Sequence, residues 1–256
     1  MADIERVDVA ALDLMDPASI DAFAAAHLDA ARPLHVLVAN AGIMSQDLVR
    51  DARGYESLFA TNHLGHFQLT NALLPALRAA DGARVVSVSS GGHRLSDIRW
   101  DDPHFETGYD GMLAYGQSKT ANILFAVELD RRWAADGIRG YALHPGQIVT
   151  TNLAPWLGDA RREIGLIDDA GAPVIDPSRD QKTPQQGAST SVFAAAGPML
   201  DGIGGVFLMD NDIAPLDDPA AVVHQGIGPT TGVMPHAVDP VSARRLWDLS
   251  ERLLAG

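Results

Sequence analysis

Tyr115 and Lys119 stand four residues apart in Tyr115-Gly116-Gln117-Ser118-Lys119, within a helical pattern that runs on through Ile123, Leu124, Phe125 and Val127. Positions i and i+4 share a helix face, so a phenol and an ammonium come within reach of each other. The pairing suits proton exchange with an alcohol or a carbonyl, because a cation beside the phenol favours the phenolate and draws its pKa down from about 10. A solvated polar stripe produces the same spacing, so the pair needs support from elsewhere. Val86-Ser87-Val88-Ser89-Ser90 supplies it. This run reads as a strand ending in two hydroxyls, and open α/β sheets bind ligands at such ends, where a serine can face a developing oxyanion. Ser89 and Ser90 compete for that role. Gly91-Gly92-His93 follows, but the nucleophile elbow G-x-S-x-G is missing, which disfavours a serine hydrolase. His63 and His66 lack a third ligand in register, so no metal site is expected. In Thr61-Asn62-His63-Leu64-Gly65-His66-Phe67 an Asn and a Gly interrupt a helical pattern where both cost stability, a local anomaly that points to function. His144-Pro145-Gly146 forms a turn whose backbone can approach a ligand closely.

The elements that must position these residues alternate in type. Residues 7–14 read as a short strand, and Asp16-Pro17 opens a helix over 18–31. His35-Val36-Leu37-Val38-Ala39 is a buried strand that breaks at Asn40-Ala41-Gly42. A helix over 55–80 should kink at Pro75. Strands over 84–89 and 139–143 flank a long helix over 113–135. A helix over 188–196, a strand over 205–209 and an amphipathic helix over 240–254 complete the pattern. With no two strands close enough for a hairpin, the expected fold is α/β, a doubly wound parallel sheet in a single domain spanning 1–256. Between 147 and 184 Pro, Gly and Asp break every period, as expected of a lid over a substrate. Leu153, Pro155, Trp156 and Leu157 give that lid an apolar, lipophilic character.

Composition narrows the partners. The 256 residues carry 19 Lys plus Arg against 33 Asp plus Glu, a net charge of -14 that argues against nucleic acid. The chain has no Cys, which removes disulfides and thiolate chemistry and is compatible with a reducing cytoplasm. A polar start and the absence of any apolar run near 18 residues argue against secretion and a membrane span.

In this order and spacing the motifs resemble the short-chain dehydrogenase/reductase family, and within it the branch of retinol dehydrogenases and WW-domain oxidoreductases. Asp13-Leu14 is similar to the family's adenine-side Asp, Asn40-Ala41-Gly42 to its N-A-G loop, and 61–67 to the branch's T-N-H-L-G-H-F helix. Val88-Ser89-Ser90 is similar to its serine strand, Ala114–Lys119 to its Y-x-x-x-K helix, and His144-Pro145-Gly146 to its P-G turn. The separation of 25 positions between Ser90 and Tyr115 matches an insertion usual in this branch. The resemblance implies a Rossmann-like fold and hydride transfer between NADP or NAD, with NADP favoured by the branch, and a small-molecule alcohol, ketone or aldehyde. It implies Tyr115 as the proton donor or acceptor, Lys119 holding the nicotinamide ribose and lowering the phenol's pKa, Ser90 orienting the substrate oxygen, and Asn62 positioning a water. Asp13, Leu14, Asn40, Ala41, Gly42, Pro145, Gly146, Ile148 and Thr150 would join Tyr115 and Lys119 along the cofactor, with Thr151 an alternative to Thr150. It also implies homo-oligomers through the two long helices over 55–80 and 113–135.

The family's opening turn T-G-x-x-x-G-x-G is not found in this sequence, nor is G-x-G-x-x-G; Gly202-Ile203-Gly204-Gly205 comes nearest but precedes a strand. Such a turn brings backbone amides and a helix N-terminus to the pyrophosphate. The expectation is therefore a fold missing its first βαβ portion, through a truncated gene or a misplaced start. The alternative to an active dehydrogenase is an impaired remnant that does not bind dinucleotide normally and associates through an exposed sheet edge.

Overall fold

The computed structural model describes residues 7–218 and 230–255. Asp16 caps the first helix, α1 (Pro17–Asp29), its carboxylate accepting from the Ala18 amide, with Pro17 in the first turn where no amide is needed. The apolar run that follows forms β1 (Val36–Ala39). Next come α2 (Ser57–Phe59), a π-helical stretch over Ala60–Gly65, α3 (His66–Ala72) and α4 (Leu74–Arg78). The expected single helix over 55–80 is thus broken at Leu73, two residues ahead of Pro75. Leu73 sits at φ -86°, ψ 2°, and Pro75 lies in the first turn of α4, because proline crowds the turn before it and restarts a helix better than it continues one.

Strand β2 (Ala83–Val88) and strand β3 (Ile138–His144) flank the long helix α5 (Gly111–Trp133). Two short strands, β4 (Gln147–Ile148) and β5 (Gln181–Lys182), pair in parallel and bracket the segment between them, which includes α6 (Ala160–Glu163). Helix α7 (Pro184–Ala196) starts earlier than its periodicity suggested, because Thr183 and Gln186 form a reciprocal capping box. Strands β6 (Val206–Met209) and β7 (Asp212–Ile213) and helix α8 (Pro240–Ala255) complete the order.

The main sheet runs β1-β2-β3-β6-β7, parallel except for the last pair. That antiparallel hairpin was not expected. Asp210 and Asn211 both adopt positive φ, 52° and 63°, the conformation a two-residue hairpin turn requires. Period-two alternation sends Val86, Val88, Tyr141 and Leu143 toward α7, while Val85 and Ile138 face Phe125, Leu129 and Trp133 of α5. Helix α8 lies on α5 and α3 through Ala243, Leu246 and Trp247. The long helices that the resemblance offered for self-association therefore meet α8 of the same chain.

Residues 7–14 are not a strand. Val7 and Val9 are 77% and 94% exposed, while Leu12 and Leu14 pack with Ile20, Ala24, Leu69 and Leu73. An alternating pattern makes a strand only where a neighbour accepts its hydrogen bonds, and among the described residues β1 pairs with β2 alone. Among the described residues no helix is long and apolar enough to cross a membrane.

Candidate active site

Gly116, Gln117 and Ser118, between Tyr115 and Lys119, are each fixed by something outside α5. Asp110 caps the helix, its Oδ1 accepting from the amides of Met112 and Leu113 at 2.8 and 3.0 Å. Gly116 leaves room for the Gly92 carbonyl, which a Cβ would meet at 3.0 Å. Gln117 accepts from the Arg99 amide and donates to the Pro103 carbonyl, both at 2.8 Å, and so pins the inserted segment to the helix. Ser118 accepts from Asn62 Nδ2 at 2.9 Å. These ties leave Tyr115 and Lys119 free to face the mouth of the sheet.

The two serines separate cleanly. Ser89 donates to the Lys119 carbonyl at 2.7 Å and is buried against α5, so its hydroxyl braces the helix. Ser90 is extended, caps the short helix Gly91–Leu95 by accepting from the Gly92 amide at 3.0 Å, and lines the same two cavities as Tyr115. A Cβ on Gly92 would stand 2.8 Å from Tyr115 Cε1, so glycine there lets the phenol ring lie against the serine turn.

The electrostatics correct one expectation. Burial raises the Tyr115 pKa, opposed by the Ser90 hydrogen bond, and Lys119 is not among the groups that shift it. Lys119 Nζ lies 5.6 Å from the phenol ring centroid and donates to the Val88 carbonyl at 3.1 Å. Burial lowers its own pKa to about 8. The ammonium thus stands over the ring face, not at the hydroxyl.

Asn62 sits inside the π-helical stretch, fully buried, and clamps residue 43 from both sides. Its Oδ1 accepts from the Ile43 amide at 2.8 Å and its Nδ2 donates to the Ile43 carbonyl at 2.9 Å. Such π-helical stretches are frequent at functional sites. Gly65 is explained by packing, since a Cβ there would lie 2.4 Å from the Leu14 carbonyl. His66, held neutral by burial with a pKa near 4, donates from Nε2 to the Ala41 carbonyl at 2.8 Å. His63 is bonded to Ser250 at 2.7 Å. Both imidazoles therefore hold structure together.

Two cavities meet at Tyr115. The larger, about 730 Å³, is bounded by Asn40, Ala41 and Gly42 on the β1 side, by Tyr115 and Lys119 on the α5 side, and by Pro145, Gly146 and Ile148. A Cβ on Gly42 would come within 3.2 Å of Asn62 Oδ1 and 3.4 Å of Lys119 Nζ, so glycine keeps a flat cradle open beside the lysine. The smaller cavity, about 450 Å³, shares Ser90, Tyr115, Gly146, Ile148 and Thr151 with the larger and adds Met44, Leu95, Met112, Trp156 and Leu157. Three expected cofactor residues lie elsewhere. Asp13 and Leu14 line neither cavity, Asp13 bonding the Met15 amide and Leu14 packing on Gly65. Thr150 is exposed and lines neither cavity, whereas Thr151 lines both. Sequence reasoning missed His66 as the prop of the 40–42 loop, because its partner is a backbone carbonyl 25 positions away.

Comparison with known proteins accords with this geometry. A family model described as short chain dehydrogenase matches residues 2–160. A Streptomyces lividans protein named "Probable oxidoreductase" is 45% identical over 98% of this chain and 82% of its own. Human retinol dehydrogenase 14 is 36% identical over 85% of this chain and 58% of its own. A crystal structure of an uncharacterized protein from Mycobacterium paratuberculosis superposes with a TM-score of 0.67 at 33% identity, over 98% of this chain and 76% of that one. The phenol, lysine and serine gathered at the open end of a parallel sheet thus belong to an enzyme of the short-chain dehydrogenase/reductase family, in its retinol-dehydrogenase-like branch, a class of oxidoreductases that work with a nicotinamide dinucleotide.

Proposed function

We propose that the chain moves hydride between NADP(H) and a lipophilic alcohol or carbonyl, with Tyr115 exchanging the proton. The observation that carries this reading is the meeting of two cavities at Tyr115 and Ser90, one bounded by Asn40–Gly42 and Lys119 and one by Met44, Leu95, Trp156 and Leu157. Asn40–Gly42, Lys119, Pro145, Gly146, Ile148 and Thr151 would hold the dinucleotide, which when bound would supply or accept the hydride. Tyr115 passes its proton to, or takes one from, the substrate oxygen, and Ser90 holds that oxygen by hydrogen bonding. Lys119 binds the ribose end of the cradle, and Asn62, its amide spent on residue 43 and Ser118, braces the loop beside it. Residues 149–180 cover the smaller cavity with Leu153, Trp156 and Leu157, which favours an apolar substrate.

A second reading has its own support in the sequence. No T-G-x-x-x-G-x-G turn occurs in these 256 residues, and the described part of the larger cavity offers no glycine-rich helix start for a pyrophosphate. On that reading this chain grips the dinucleotide weakly and turns over slowly.

One pair of measurements separates the two. Calorimetric titration with NADPH and NADH reads the grip and the preference between them, and micromolar binding removes the impaired reading. Tyr115→Phe, followed by NADPH consumption with 4-methylbenzaldehyde, should lose about 10²- to 10⁴-fold in turnover while still binding cofactor. Unchanged turnover removes Tyr115 from the mechanism.

A further inference from the structure

Asp180 occupies the left-handed backbone region, φ 64°, and its carboxylate is buried at 5% exposure. A strained, buried acid at the base of a cavity wall asks for a purpose. Its Oδ2 accepts from His144 Nε2 at 2.6 Å, and its Oδ1 lies 3.1 Å from Lys182 Nζ, which also bonds Asp210. The other ring nitrogen, His144 Nδ1, accepts from the Gly91 amide at 3.0 Å. An amide donating to Nδ1 requires a bare nitrogen there, which leaves Nε2 as the ring's donor toward Asp180. Gly91 directly follows Ser90. On its other flank Lys182 lies along the P-G turn, where a Cβ on Gly146 would meet Lys182 Cδ at 2.6 Å. Asp180 therefore reaches both strand-end turns that frame Tyr115, from the point where the covering segment rejoins the fold through β5.

We infer that His144 and Asp180 form a positioning pair for the proton-transfer site. Asp180 fixes the imidazole tautomer, Nδ1 holds the Gly91 amide, and the Ser90 hydroxyl is thereby set against Tyr115. Docking of the covering segment at Asp180 thus registers the serine. The inference rests on the reading of Tyr115 and Ser90 given above and adds two residues to it, His144 in the wall of the smaller cavity and Asp180 behind it.

The test uses two amides that each keep one half of the imidazole's bonding. Asn places a polar atom near the Nδ1 position and can still accept from Gly91, whereas Gln reaches the Nε2 position and can still donate to Asp180. With NADPH and 4-methylbenzaldehyde, His144→Gln should fall roughly tenfold below His144→Asn in kcat, with the KM for NADPH alike in both. Gln is closer to His in volume, so a role in packing alone predicts the reverse order, and equal or reversed values overturn the inference. Tyr115→Phe runs alongside: if that change leaves kcat untouched, the underlying reading fails, whereas loss in Tyr115→Phe with Gln matching Asn at His144 sinks only the positioning pair. Nitrogen-15 NMR of the histidine rings needs no turnover. A bare Nδ1 and a protonated Nε2 at His144 support the pair, and a proton on Nδ1 overturns it.

Discussion

On the α5 side of the cleft, Gln117, Ser118, Thr120 and Asn62 are buried and each bonds a group on another element. On the β1 side, a four-residue strand pairs with one neighbour, Val38 is 41% exposed, and residues 7–13 run as irregular chain. The first wall holds Tyr115 and Lys119 and is held from several directions at once. The second is held through β2, the His66 prop and the Asn62 clamp on residue 43. On the function proposed above, groups that must keep a fixed geometry during bond making sit where the structure fixes them most heavily, while the surface proposed to receive the cofactor is built more lightly.

Acid gives the largest expected effect and acts through three buried imidazoles: His66 props the β1 wall, and His63 and His93 pack behind the α5 wall. Burial lowers His63 and His93 to about 3 and His66 to about 4. The unfolded chain takes up protons on these rings near the ordinary histidine value of about 6.5, the folded chain only much lower, so stability falls as pH drops through that interval. At pH 4 each ring costs on the order of 3 kcal/mol, and three together rival the whole stability of a typical domain. Glu56 and Asp130, raised by burial, act in the opposite sense and soften the loss. Circular dichroism followed from pH 7 downward should show cooperative unfolding before pH 4 is reached. A fold intact at pH 3.5 would mean that these rings are less sealed than described.

Gln117→Leu tests the α5 wall more locally. It strands the Arg99 amide and the Pro103 carbonyl, each costing about 1–3 kcal/mol if left without a partner. Urea unfolding should show the loss, and limited proteolysis should cut sooner between residues 91 and 110. At the other extreme, Val9→Ser on the lightly built side should change stability by less than about 0.5 kcal/mol, since the side chain is 94% exposed. A larger cost there would mean that residues 7–14 are paired in solution and would collapse the contrast between the walls.

The parts of this arrangement that could be read from the residues are those carried by local pattern. The strand over Ala83–Val88, the helix bearing Tyr115 and Lys119, and the turn at Pro145-Gly146 follow from period, β-branching and turn chemistry. Residues 7–14 misled because alternation is necessary for a strand but not sufficient. The Tyr115–Lys119 spacing gave the right face and the wrong electrostatics, since i,i+4 geometry does not say whether an amine meets a hydroxyl or a ring face. His144 and Asp180 lie 36 positions apart on opposite ends of an aperiodic segment, and no local signal joins them. Gly65 looked like a functional anomaly and is a contact point for Leu14.

The widened turn over Ala60–Gly65 holds one residue more than an ordinary spiral would need for the same rotation. Deleting one residue there would let that spiral re-form with the flanking residues still in phase, so His66 would keep the Ala41 carbonyl and Phe67 would keep Trp247. The loss would fall on the stretch itself, where Asn62 grips residue 43 from both sides.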